Sequence, residues 1–335
     1  MRYLKKSHIF LIIKLLLAGA LVVALLNSGQ LDFGSIAVVF DHLDLFVPAL
    51  LCLFLGILIS GVRWWLLLRA TNNIIPLSTV LNLQLMGSFF STWLPGAAGG
   101  DAVKGVQIFR LLESGRSTAL ISIVTDRVFA MLGLVSVATL VSVFLPAAVS
   151  PDSEYHQYIG LLRVLVVLSF VGVILLMLGV FIALKFSIID RLPVKMRHHL
   201  QPFGLTLLMY FRAWPIMLVC WFASLVATGI VITGMVVISS MFTFSANAEV
   251  TAIAGVFGNL FSVIPITPGG LGVGESVFSK VCVELSNRVA PFATIYFCFR
   301  VGMLLVNIPG MIATLLYSTN KHREKAKSLS AEKLA

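Results

Sequence analysis

Apolar runs of roughly twenty residues, the length an α-helix needs to cross a ~30 Å hydrocarbon core, recur between Ile9 and Tyr317. Two of them are interrupted. Pro95-Gly96-Ala97-Ala98-Gly99-Gly100-Asp101 breaks one, and Pro265-Ile266-Thr267-Pro268-Gly269-Gly270-Leu271-Gly272 breaks another. Proline and glycine stop helices that the flanking residues would continue. Inside a bilayer such irregular backbone is tolerated only where protein buries it or it lines a cavity.

The two breaks belong to a longer echo. Gly87-Ser88-Phe89-Phe90-Ser91 precedes the first and Gly258-Asn259-Leu260-Phe261-Ser262 the second. Each break is followed by an acid, Asp101 or Glu275, and later by an arginine and a valine, Arg127-Val128 or Arg300-Val301. Agreement of type, order and spacing marks an internal repeat. Paired breaks in corresponding positions of two halves point to a transporter-like binding region.

With 59% hydrophobic and 11% charged residues, the chain is no ordinary soluble domain. Its net charge of +10 is what Lys/Arg-rich cytoplasmic loops produce and not a signal for nucleic acid. Cys52, Cys220, Cys282 and Cys298 lie in apolar segments and suggest neither a disulfide framework nor a metal site. His198-His199 sits in a basic segment and reads as solvated. No cofactor motif is present.

The expected fold is an all-α integral membrane protein with six full transmembrane helices plus two re-entrant helical hairpins, in two inverted repeats. Residues 1–44 form a first span and an acidic external loop. An uncleaved span is preferred over a signal peptide because the apolar run continues past Ala18-Gly19-Ala20, and Lys14 snorkels. Residues 45–145 form repeat 1 (span, cytoplasmic-side hairpin, span), and 146–212 a linking span with a basic interfacial segment. Residues 213–317 form repeat 2, its hairpin on the external side, and 318–335 a basic cytoplasmic tail. Basic loops then fall on one side and acidic loops on the other, with Arg288 as the exception, and both termini are cytoplasmic. Arg63-Trp64-Trp65 and Arg69 read as an interfacial anchor.

Charges within these segments need a partner or a wet cavity. The repeat pairs Asp101 with Arg127 and Glu275 with Arg300. Asp101 has two compatible readings, as an N-cap after Gly99-Gly100 or as a group that orients an arginine toward an anion. Arg127 and Arg300 suit bidentate phosphate recognition, and a glycine-lined helix start favours an anion. Asp126 points to a different face from Arg127. Lys104, Lys280 and Glu284 are placed toward hairpin mouths, where water reaches them.

Leu94-Pro95 with Gly99-Gly100-Asp101, then Thr125-Asp126-Arg127, then Pro268-Gly269-Gly270-Leu271-Gly272-Val273-Gly274-Glu275, resembles the lysylphosphatidylglycerol synthase transmembrane-region family. That family includes the flippase half of the bacterial multiple peptide resistance factor. The resemblance covers about Leu45 to Tyr317. It implies an inner-membrane lipid flippase, not an enzyme, with the site drawn from Gly99, Gly100, Asp101, Lys104, Arg127, Pro268, Gly269, Gly270, Gly272, Glu275 and Arg300. Its partners would be membrane lipids with an anionic phosphate headgroup. Lys104 departs from the arginine expected after Gly-Gly-Asp. No soluble aminoacyl-transferase domain accompanies the motifs, so translocation without lysyl transfer is implied. A membrane-embedded lipid or lipid-linked-sugar transferase, an accessory subunit of an envelope pathway and an ion-coupled anion carrier are the alternative readings.

Overall fold

The computed structural model describes residues 19–20, 22–29, 31–32, 34–93, 98–112, 114–144, 160, 164, 167–168, 171–172, 194–263, 267 and 270–315. Most of the expected first span and of the span at 160–185, the tail, and Pro95, Pro265, Pro268 and Gly269 lie outside the described residues, as do the side chains of His198 and His199.

Among the described residues the chain is helical and contains no strand. The long helices are α1 (Leu43–Ala70), α2 (Leu77–Trp93), α3 (Ala98–Leu111), α4 (Arg116–Phe144), α5 (Val194–Arg212), α6 (Trp214–Ser239), α7 (Ala248–Ser262), α8 (Val273–Ser286) and α9 (Phe292–Val306). Among the described residues, four stretches are long and apolar enough to cross a membrane: Leu43–Ala70, Arg116–Val141, Trp214–Ser239 and Phe292–Leu315. These are α1, α4, α6 and α9 with its continuation. Much of their surface stays apolar and outward-facing, as with Leu51 and Leu55 on α1 and Val219 and Phe222 on α6, which suits contact with lipid.

Between each pair of spans lies a pair of shorter helices. The shorter helices pack on each other, α2 on α3 and α7 on α8, and the most extensive packing among the described residues joins α1 to α6. A first apolar cluster gathers Trp64 and Leu68 of α1, Val80, Leu83 and Met86 of α2, Ile108 of α3 and Ala119 and Ile123 of α4. The larger cluster joins α6, α7, α8 and α9 to the first half of α1 through Leu53 and Ile57. Each helical pair is thus held against the spans that precede and follow it in sequence, once in each half.

Close approach within each pair rests on a glycine directly before the acid. A Cβ on Gly100 would stand 2.0 Å from the Gly87 carbonyl oxygen and 2.1 Å from Ser91 Oγ. A Cβ on Gly274 would stand 2.3 Å from Ser262 Oγ and 2.6 Å from the Tyr296 ring. The structural counterpart of Gly100 is therefore Gly274, three-dimensionally matched through Gly87/Gly258 and Ser91/Ser262, and not the Gly270 that the Pro-Gly-Gly echo suggests. Gly100→Ala and Gly274→Ala are each expected to destabilise the protein by about 1–3 kcal/mol, as overpacking does. Thermal unfolding in detergent checks this against Gly229→Ala, whose added Cβ meets nothing within 4 Å.

The segment before α1 is tied to α9 by the Asp32 amide, which donates to Thr294 Oγ1 at 2.9 Å. Helix α5 lays Tyr210 and Leu207 against Leu67 of α1 and Cys220 of α6.

Candidate functional site

Both ion pairs expected from the repeat are present. Arg127 on α4 grips Asp101 on α3 with two parallel bonds, Nε to Oδ2 at 2.7 Å and Nη2 to Oδ1 at 2.8 Å. Arg300 on α9 donates Nε to Glu275 Oε1 at 2.6 Å and Nη2 to Oε2 at 3.3 Å. In each half, a bond of this charge-assisted, forked kind ties the second short helix to the span that follows.

The pairs are not equivalent. The Arg127 side chain is 44% exposed while its fork is held by Asp101. The Glu275 side chain is 2% exposed. Its Oε2 also accepts from the Gly272 amide at 2.8 Å, so Glu275 closes the start of α8 in the manner of a capping box. Arg300 reaches further, to the Gly270 carbonyl at 3.1 Å, and its guanidinium lies 5.6 Å from the Tyr296 ring centre. Gly270 and Gly272 have φ of +69° and +82°, a region that favours glycine, so this turn presents its backbone to the Arg300–Glu275 pair.

Asp101 is not a helix cap. Helix α3 is already formed at Ala98, which puts Asp101 inside the first turn with both oxygens committed to Arg127. Gly99 and Gly100 are helical residues of that turn. Of the two acids, Glu275 does the capping.

A third ion pair was not legible in the sequence. Arg63 does not anchor an interface: its side chain is buried, and Nε donates to Asp126 Oδ1 at 2.8 Å. Its Nη1 donates to Ser224 Oγ of α6 at 3.0 Å, and Ser224 in turn donates to the Cys220 carbonyl. Trp64 is wholly buried with its indole N–H on Ser122 Oγ. Trp65 donates to the Ile75 carbonyl and carries Arg69 over its ring. Since successive helical residues diverge by about 100°, α4 uses Asp126 to hold α1 and Arg127 to hold α3. The signal available beforehand was Asp126 itself, an intramembrane acid that needed a cation other than its neighbour.

Lys104 also differs from expectation. It is 4% exposed, donates to Gln84 Oε1 of α2 and sits 4.8 Å from the Trp64 ring centre. Lys280 does face outward, with Glu284 3.8 Å away.

The site defined by these elements belongs to a helical, multi-pass membrane protein that keeps paired charge among its spans. A family model described as the lysylphosphatidylglycerol synthase TM region matches residues 11–310, and the chain belongs to that family. Among curated proteins and among solved structures, no match to the chain was found. Membership associates the chain with a membrane-lipid function.

Proposed function

We propose that the protein is a lipid flippase of the bacterial inner membrane, moving a phospholipid or a lipid-linked phosphate and catalysing no covalent chemistry. The observation that carries this reading is the pair of acid–arginine forks at matched places in two halves of a membrane chain. Their partner spacings are 26 and 25 residues. In this reading six spans and two re-entrant hairpins, α2/α3 and α7/α8, form inverted repeats, with both termini in the cytoplasm.

The lipid phosphate meets the exposed part of Arg127 while the acyl tails stay in the bilayer. Asp101 holds the guanidinium by its fork. Arg300 and Glu275 set the geometry of the second hairpin, its glycine turn lying beside them. In this reading the charged pairs offer a headgroup a polar route, so that it does not enter hydrocarbon, where charge is costly.

The test is leaflet exchange of reporter-labelled phospholipids and a labelled polyprenyl phosphate by purified protein in liposomes, read by chemical quenching from outside. Protein-dependent exchange is expected. Absence of exchange with every headgroup, together with formation of a modified lipid product, would replace the flippase by the transferase alternative.

A further inference from the structure

The first half carries a charge that the second half lacks. Counting from the structural matches of Gly100 with Gly274 and of Gly87 with Gly258, Lys104 corresponds to Phe278, which is fully buried and packs on Tyr296 with ring centres 5.5 Å apart. Gln84 corresponds to Gly255, which lies against Met235 and Ile232. The same hairpin plan is therefore built once with an apolar filling and once with a lysine and an amide. Folding of the plan does not require the charge.

The surroundings of Lys104 do not neutralise it. From α1 come Trp64, whose ring it faces, and Arg63; from α2 come Gln84 and Gly87; from α4 come Asp126 and Arg127; its own helix adds Asp101. Asp126 is bound to Arg63 and Asp101 to Arg127. Three cations thus share two carboxylates, and the ammonium is left with an amide oxygen and an indole face. A lysine withdrawn from water without a carboxylate of its own is the kind that exchanges its proton readily. It also lies three residues from Asp101, on the same side of α3, next to the place where an anion would meet Arg127.

We propose that Lys104 is a proton site linked to the Asp101–Arg127 pair: it takes a proton from solution when an anionic phosphate ester occupies that pair and returns it when the ester leaves. This deepens the flippase reading and rests on it, because it makes headgroup movement carry a proton. The sign follows from linkage. An added negative charge favours the ammonium, and by reciprocity the ammonium favours the anion. Anion affinity is then full at low pH and falls as pH rises through the titration of Lys104.

Trp64 supplies a reporter, since a cation over an indole face changes its emission. The experiment uses the full chain in nanodiscs with Trp65, Trp93, Trp214 and Trp221 replaced by Phe, and follows Trp64 emission against pH. A single midpoint is expected, absent from both Lys104→Arg and Lys104→Met. Dihexanoyl-phosphatidylglycerol should raise that midpoint by about one unit or more, whereas dihexanoylglycerol, lacking phosphate, should not. Proton uptake by the unmodified protein in weak buffer, on adding the same two lipids, gives a reading that needs no variant. An equal shift with glycerol phosphate alone would support the linkage while contradicting the lipid reading. No titration, with leaflet exchange intact, overturns the proposal and leaves the flippase standing. A titration that phosphatidylglycerol does not move, although that lipid is exchanged, also overturns it.

Discussion

Asp126→Ala is expected to lower stability by about 3–5 kcal/mol, because it leaves the buried Arg63 guanidinium without its carboxylate. The cost reflects burial: neither side chain of the pair has appreciable exposure, and the remaining acceptor for Arg63, Ser224 Oγ, is neutral. Arg63→Ala should cost a similar amount by stranding Asp126. Replacing both with apolar residues, Arg63→Met with Asp126→Leu, should recover most of the loss, since a buried ion pair exchanged for packed apolar side chains is often close to neutral. Thermal unfolding of the four proteins in one detergent measures this. Single losses under about 1 kcal/mol would mean that the pair is solvated, as exposed pairs are. The pair joins α1 and α4 of the first half and reaches α6 of the second, so a weakened pair should also loosen the α1–α6 contact.

The second large effect separates the two arginines of the repeat. Arg127→Ala should reduce lipid exchange about 10- to 100-fold, the loss expected when charge-assisted bonds to a phosphate are removed. Its effect on stability should stay within about 1 kcal/mol, because the Arg127–Asp101 pair is partly exposed. Arg300→Ala should do the reverse at the level of folding. It strands Glu275, a 2% exposed carboxylate, and costs about 3–5 kcal/mol. Exchange by whatever protein remains folded is a secondary effect. Arg127→Lys should keep the charge, lose the fork, and fall between wild type and Arg127→Ala.

How much of this could be read from residues alone differs from place to place. The Asp101–Arg127 and Glu275–Arg300 pairs were legible because the membrane demands a partner for each charge and the repeat offers the same one twice. The apolar runs at 77–94, 117–145 and 251–264 locate helices α2, α4 and α7 to within a few residues. Arg63 was not legible. An arginine followed by two tryptophans at the end of an apolar run has the composition of an interfacial anchor, and only the placement of α4 beside α1 reveals the buried partner. Lys104 misled in a similar way: a lysine on a short, polar helix suggests a wet position, yet the close approach permitted by Gly87 covers it with Gln84 and Trp64. The role of Gly274 was hidden by the louder Pro268-Gly269-Gly270 motif, because sequence order aligns glycine doublets while the fold aligns the glycine before each acid. Asp101 and Glu275 occupy matched places but do different local work, and that difference depends on where each helix starts.

In the proposed mechanism, lipid headgroups cross the membrane beside the partly exposed pair of the first half. Its most direct test is leaflet exchange of labelled phosphatidylglycerol in liposomes, comparing wild type with Arg127→Ala and Arg127→Lys after each has been shown to unfold at a temperature close to wild type. Rapid exchange by wild type, an intermediate rate for Arg127→Lys and near-background exchange for Arg127→Ala are expected. Exchange at the wild-type rate by folded Arg127→Ala would contradict that mechanism.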